Sequence, residues 1–541
     1  MKEQASIRPY LNQAYLLGLL MVAVGLTLSP FLMGMSQFWL VLVWLVDGIV
    51  ARNFKQKLSR FWHNKAAVLL VALYLMHVVG LLWTSDFEYA LKDLRVKLPI
   101  LVMPFVLSSM EPLDRKRFDF VLLVYVLSVF IATQFSFFRY IRHDYEDVRE
   151  ISRFISHIRF CLNIVFSMAV IGYYLYKRRI SKGKGVPSFG IKVVIDQFLM
   201  WFLLLWFAYQ IYIFESLSGY VILAVVILAT VLYAFLQWRK GRGWRIALGA
   251  SALAVIVAIV VVWAVAKPMV EVRPVDFSTL EKTTAQGNPY WHDTIHNPVE
   301  DGKYVGLYYN RTELREAWSQ RSELPFDGTT AYGENLEATL ARYLTSKDLR
   351  KDAQGVMALT DEDIHNIEQG VANYNNWKHP GLRARLSSTL FEYNLYRRYN
   401  NPNGGSLSQR IEYTRASFHI IGRHPWFGVG TGDVPQTFAR TYDKIHSPLK
   451  EEFRFRAHNQ YLAIAVAFGL VGLAFFLFVL LYPWFASKRN HTYLYIVFLC
   501  IMLLSMFPED TLETQAGATL FAFFMSLLLF ANPQRSVDVN Q

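Results

Sequence analysis

Cysteine is almost missing from this chain: Cys161 and Cys500 are the only two in 541 residues, and each sits in an apolar run. That excludes a disulfide framework and a cysteine-built metal cluster. Also absent are GxxxxGK[ST], HExxH, GxSxG and any Asp-rich nucleotide-sugar motif, so ATP-driven and zinc-hydrolase chemistry lack their usual ligands. Any reaction must use a donor activated beforehand, and neither a metal nor a cofactor is expected. Internal repeats and low-complexity tracts are absent as well. Charge is sparse, at 18% of residues, and the net +13 is broken into short basic clusters between apolar runs. Such clusters set membrane orientation; a continuous cationic face for nucleic acid is not encoded.

What the chain has in quantity is apolar side chains, 54% of residues, with 16% aromatic. These numbers predict an all-α polytopic membrane protein. A span needs roughly 20 apolar residues, fewer where the helix end is polar. By that rule about twelve spans are expected, at 12–33, 36–51, 66–84, 96–110, 119–138, 157–176, 194–214, 217–236, 246–266, 458–482, 491–507 and 514–531. The first run lacks a small-residue cleavage pattern, so no cleaved signal peptide is expected. Loops such as "ARNFKQKLSRFWHNK", "DRKRF", "KRRISKGKG", "WRKGRGWR" and "ASKRN" alternate with poorer ones. The basic side is then cytoplasmic, with both termini.

The opposite side receives a long polar segment, which divides the chain into an N-terminal bundle (1–266), a large, mainly helical periplasmic domain between spans 9 and 10 (267–457), and C-terminal spans (458–541). Helical spacing of Leu336, Leu340, Tyr343 and Leu344 supports its helical character. Thr360 with Asp363 forms a capping box before a helix that Gly370 ends. Ser406 and Gln409 open another helix, 407–421, closed by Gly422 and Pro425.

Candidate chemistry gathers where this segment meets the tenth span, in "RFRAHNQYLAIAVAFGLVGL". His458 is expected in the first helical turn, where a neutral imidazole can take a proton from a hydroxyl. Arg454 and Arg456, with the helix end, can hold phosphate oxygens. An ordinary interfacial cap by His458 and Asn459 fits the same residues. In "GRHPWFGVGTGDV" the glycines suit either an anion nest or a structural turn that folds the segment back onto the membrane. His157 and Arg159 open the sixth span on the same side, facing a polar cavity or snorkelling to headgroups. Lys97 suits a phosphate contact or a snorkelling anchor.

"QRIEYTRASFHIIGRHPWFGVGTGDV" followed by "RAHNQYLAIAVAFGLVGL" resembles the signature of the O-antigen ligase and polymerase superfamily, over residues 409–473. The stretches "ELREAWSQRSELPFDG" and "ARYLTSKDLRKDAQGV" resemble Bacteroidetes members. The resemblance implies a metal-independent, inverting glycosyltransferase in the bacterial inner membrane. It would move a glycan from undecaprenyl pyrophosphate to a hydroxyl of lipid A-core at the periplasmic face. By position His458 matches the family's essential histidine and Arg410 its pyrophosphate-binding arginine. Arg456, Arg454, Arg159, His157, Asn459 and Lys97 complete the expected substrate-binding set. This chain departs from the family at Gly219, where members carry an arginine after serine; Arg159 or Arg456 is the expected substitute. Polymerases and protein O-oligosaccharyltransferases share this chemistry. A lipid-linked sugar transporter is the alternative of another class, although related halves and interrupted helices are not evident in the sequence.

Overall fold

The computed structural model describes residues 2–142, 148–181, 197–238, 262–296, 298–403, 405–487 and 492–533, with positions 249, 253, 256 and 260. The loop residues 182–185 and 239–245 lie outside these residues, and much of the expected span 246–266 does too. The chain divides into two compact units. One comprises residues 1–248, 413–447 and 454–541; the other comprises 249–412 and 448–453.

The first unit is helical. Among the described residues six helices are long and apolar enough to cross a membrane: Ile7–Leu28, Pro30–Val50, Lys65–Trp83, Arg115–Ile141, His157–Lys177 and Gln460–Ala486. The expectation of about twelve spans is therefore corrected, and no periplasmic domain between a ninth and a tenth span can be identified. Apolar run length misled for two physical reasons. The expected fourth span, 96–110, belongs to Phe87–Ser109, a helix whose first half carries Glu88, Lys92, Asp93, Arg95 and Lys97. Two other apolar helices, Tyr493–Ser505 and Gln515–Phe530, have 13 and 16 residues. At about 1.5 Å per residue they fall short of the ~30 Å hydrocarbon layer. Gln515–Phe530 is buried from Gly517 to Phe530, so its apolar sequence fills the protein's own core.

Helix ends in this unit follow from local chemistry. Ser29 accepts from Leu32 N ahead of Pro30, Asp86 from Tyr89 N, and Asp114 from Arg117 N, each satisfying a donor that the helix cannot.

The second unit has its own core around Leu314, Trp318, Leu336, Leu340, Tyr343, Leu344, Ile364 and Ile367. The expected helical face holds: Leu336, Leu340, Tyr343 and Leu344 lie on the helix Leu336–Ser346 and are fully buried. The Thr360–Asp363 capping box forms at the start of Asp361–Glu368, and Gly370 follows with φ +86°. A short antiparallel hairpin pairs Val299 with Tyr304 and Glu300 with Lys303.

Candidate active site

The glycine-rich turn completes a broken membrane helix. Helix Gln460–Ala486 loses helical geometry at Gly469, with φ +67° and ψ −169°. A break at this point frees backbone groups that lipid cannot satisfy. Val429 N and Gly430 N donate to the carbonyls of Val466 and Ala467 at 3.0 and 2.9 Å, and Leu470 N donates to Pro425 O at 2.7 Å. Contact is so close that a Cβ on Gly469 would lie 2.2 Å from the Trp426 carbonyl carbon, and one on Gly428 would lie 2.4 Å from that of Ala467. Thr431 Oγ1 donates to His77 O at 2.7 Å, and Gly432 N donates to Thr84 Oγ1 at 2.8 Å. Asp433 accepts from Ser85 N and Asp86 N at 3.0 and 2.8 Å. The amides that an anion nest needs at Val429, Gly430 and Gly432 are thus engaged, and the structural-turn reading accounts for the glycines.

His458 stands just ahead of that helix. The first turn was the expected place, but Asn459 caps the helix, accepting from Leu462 N at 3.0 Å. His458 therefore precedes the cap, with φ +44°, a left-handed conformation uncommon for a side chain of this size. Its ring stacks on Tyr413 at 5.4 Å and meets the Phe455 ring edge-on at 6.1 Å. Much of the helix end is occupied: Gln460 N donates to Met506 O at 2.9 Å, and Asn459 Nδ2 donates to Phe507 O at 2.9 Å.

Those bonds fasten the loop "FPEDTLET", residues 507–514. The side chain of Gln460, fully buried, donates to Glu513 Oε1 at 3.1 Å and accepts from Leu512 N at 2.7 Å. The loop so held brings acids to the predicted bases. One ligating atom each from His458, Glu509 and Asp510 lie within 4.8 Å of one another. Arg159 Nη2 is 3.7 Å from Glu509 Oε2, and Arg456 Nε is 2.6 Å from Asp510 Oδ2. Three expected site residues therefore converge on two carboxylates. The histidine and acids are of a type that can hold a divalent cation, but each carboxylate already faces a guanidinium, which repels one.

Beneath this cluster lies a buried ionic chain lining a small cavity with His77, Tyr89 and Phe468. Lys97, 1% exposed, pairs with Asp93 and, at 2.6 Å, with Glu513. Arg456 reaches Glu513 Oε2 at 3.6 Å, Tyr89 OH at 3.3 Å and Glu513 O at 3.2 Å. Burial disfavours the Glu513 carboxylate, but Lys97 and Arg456 outweigh it and hold its pKa well below the usual range. Burial likewise opposes the Arg456 charge, and Glu513 and Asp510 more than offset it, raising its pKa.

Arg454 Nη1 bonds Asp443 Oδ1 at 2.7 Å. His157, half-buried, begins helix His157–Ser181. Arg410, also half-buried, lies on Ser406–Arg423, one turn ahead of Tyr413. Gly219 packs against Cys161, whose Cβ and Sγ would lie 3.3 and 3.4 Å from an added Cβ, leaving an arginine little room. Sequence reasoning missed Glu509, Asp510, Glu513 and Gln460. The available signal was a glutamine at the head of an apolar helix and three acids in one short loop between apolar runs.

A family model described as O-antigen ligase (Wzy_C) matches residues 362–477, about a fifth of the chain, and that stretch includes Arg410, Arg454, Arg456, His458 and the glycine-rich turn. No curated protein matches the chain. An O-antigen ligase domain is thus present over those residues, and with six long apolar helices it supports a membrane enzyme of the O-antigen ligase or polymerase type.

Proposed function

We propose that this protein is a membrane glycosyltransferase that moves a glycan from undecaprenyl pyrophosphate to an acceptor hydroxyl, with lipid A-core as the leading acceptor. The supporting observation is the convergence of His458, Arg159 and Arg456 on Glu509 and Asp510, with His458 inside the family match. His458 takes the proton of the acceptor hydroxyl as its oxygen attacks the anomeric carbon. The neighbouring carboxylates stabilise the imidazolium. The bond from the anomeric carbon to the pyrophosphate oxygen breaks with inversion, and the proton passes from His458 to water. Arg456, Arg159 and Arg410 offset the charge on the departing undecaprenyl pyrophosphate. Arg456 and Arg159 exchange carboxylate partners for phosphate oxygens when the donor binds. No metal takes part. A reaction on the periplasmic face of the inner membrane, with both termini in the cytoplasm, is the reading that the basic loops of the sequence favour.

The test is incubation of purified protein in detergent with a defined undecaprenyl-pyrophosphate glycan and candidate acceptors, read by mass spectrometry. Detergent removes compartments, so donor consumption excludes a transporter. Glycan on lipid A-core identifies a ligase, laddered lipid-linked chains a polymerase, and glycan on protein an oligosaccharyltransferase. His458→Ala should lower transfer by about 10²–10⁴-fold, and full activity in that variant would remove His458 from the mechanism. Reversing the charge at Arg410 should weaken donor binding; unchanged affinity would remove Arg410 from the donor site.

A further inference from the structure

The second unit contains a groove of about 730 Å³ between Trp291, Asp293 and Pro298 on one side and the helices Leu336–Ser346 and Leu382–Tyr399 on the other. That volume lies within the range of sites that enclose small organic ligands. Its floor is rigid. Arg342 lies over the Phe391 ring at 4.2 Å and grips Glu300 through two bonds of 2.9 Å. Trp291 and Tyr309 exchange backbone hydrogen bonds of 2.8 and 3.0 Å, which fix where their rings emerge.

Two aromatic rings are left open on this floor. Trp291, edge-on to Tyr309 at 6.2 Å, is still 61% exposed, and Tyr399, 6.2 Å from the His296 ring, is 44% exposed, so each keeps apolar ring surface in water. Tyr399 is nonetheless anchored, its hydroxyl donating to His296 O. Beside the rings stand planar polar groups. Arg311 Nε bonds both oxygens of Glu337 at 2.9 and 3.1 Å, and Tyr309 OH donates to Glu337 at 2.7 Å. Asp293 and Asn335 also line the groove.

We propose that this groove binds a carbohydrate chain. A pyranose ring has an apolar face of C–H groups that lies flat on an indole or phenol. Its hydroxyls donate to planar carboxylates and accept from amide and guanidinium N–H groups. The groove supplies both surfaces side by side. Other ligands fit it less well. Asp293 and Glu337 balance Arg311 and Arg342, so the field that a nucleic acid requires is missing. The two-residue strands are paired with each other, and among the described residues lining the groove there is no strand edge for a peptide to extend. Residues 291–342 of the groove also precede the family match at 362–477, so this part belongs to the chain outside the matched domain.

The choice of a glycan rests on the glycosyltransferase reading only for where such a ligand would come from, the donor or the acceptor. Titration calorimetry of the full chain in detergent tests it with two probes. One is the glycan released by mild acid from the polyprenyl-pyrophosphate lipids of the source cells; the other is the oligosaccharide of their lipid A-core. Binding of the first assigns the groove to the donor glycan, and binding of the second assigns it to the acceptor. Trp291→Ala should weaken the bound probe by about tenfold, and Trp291→Phe should retain most of the affinity. No binding of either probe, or equal affinity in Trp291→Ala, overturns the assignment. Transfer measured on the same samples separates the two readings. Probe binding lost in Trp291→Ala with no transfer by the wild type leaves the groove standing and sinks the enzyme; transfer with unaltered binding in the variant does the reverse.

Discussion

Lys97 and Arg456 share one carboxylate: Glu513 Oε2 lies 2.6 Å from Lys97 Nζ and 3.6 Å from Arg456 Nη1. The contact joins residues 416 positions apart and ties the charged half of helix Phe87–Ser109 to the loop that carries Glu509 and Asp510. The seating of those acids beside His458 therefore depends on a lysine far away in sequence.

Lys97→Met should destabilise the protein by about 3–5 kcal/mol, because it leaves Asp93 and Glu513 buried without their shared cation. A fall in Tm in detergent reads this. Adding Glu513→Gln to Lys97→Met should recover part of the loss, and a Tm equal to wild type in the single variant would refute the structural role.

The same carboxylate sets an acid limit. The folded-state pKa of Glu513 is depressed below its free value of 4.5, so the unfolded chain binds its proton first as pH falls. Its stabilising contribution is complete above that value and is lost as pH drops toward the folded-state pKa. Tm should decline below about pH 4.5, and Glu513→Gln should flatten that part of the profile. An equal decline in both proteins would assign the acid sensitivity to other groups.

Gly469→Ala should cost at least about 1–2 kcal/mol from its positive φ alone, with further loss because the new Cβ meets backbone that cannot move aside. Gly422→Ala is the internal control. Nothing lies within 4 Å of its added Cβ, and near the end of a helix the change should be neutral or stabilising by up to about 1 kcal/mol. Yield and Tm of the two variants, compared side by side, test whether the turn and the broken helix form one unit.

Chelation tests the cluster of His458, Glu509 and Asp510. With Arg159 and Arg456 facing the two carboxylates, exhaustive EDTA treatment should leave glycan transfer unchanged. Loss of transfer that Mg²⁺ or Mn²⁺ restores would make the cluster a metal centre instead.

Local features were legible because their causes are local. The capping box at Thr360 and Asp363, the buried face of Leu336–Ser346 and the helix expected over 407–421, observed as Ser406–Arg423, each follow from neighbours in sequence. Span counting failed because lipid and protein core select the same side chains. Gln515–Phe530 is as apolar as a spanning helix, yet the fold itself covers it. The acids of the site were illegible because Glu513 gains its meaning from Lys97 and Arg456, and Gln460 from the loop it holds.

By itself the sequence determined the helical character, the abundance of membrane-compatible segments, and the placing of His458 beside Arg456 at the head of an apolar helix, since periodicity, composition and adjacency are properties of the chain. Tertiary structure alone decided which glycines bridge a broken helix and which carboxylates meet which cations. Those outcomes depend on backbone and charges brought within a few ångströms across hundreds of residues, a distance on which no local pattern reports.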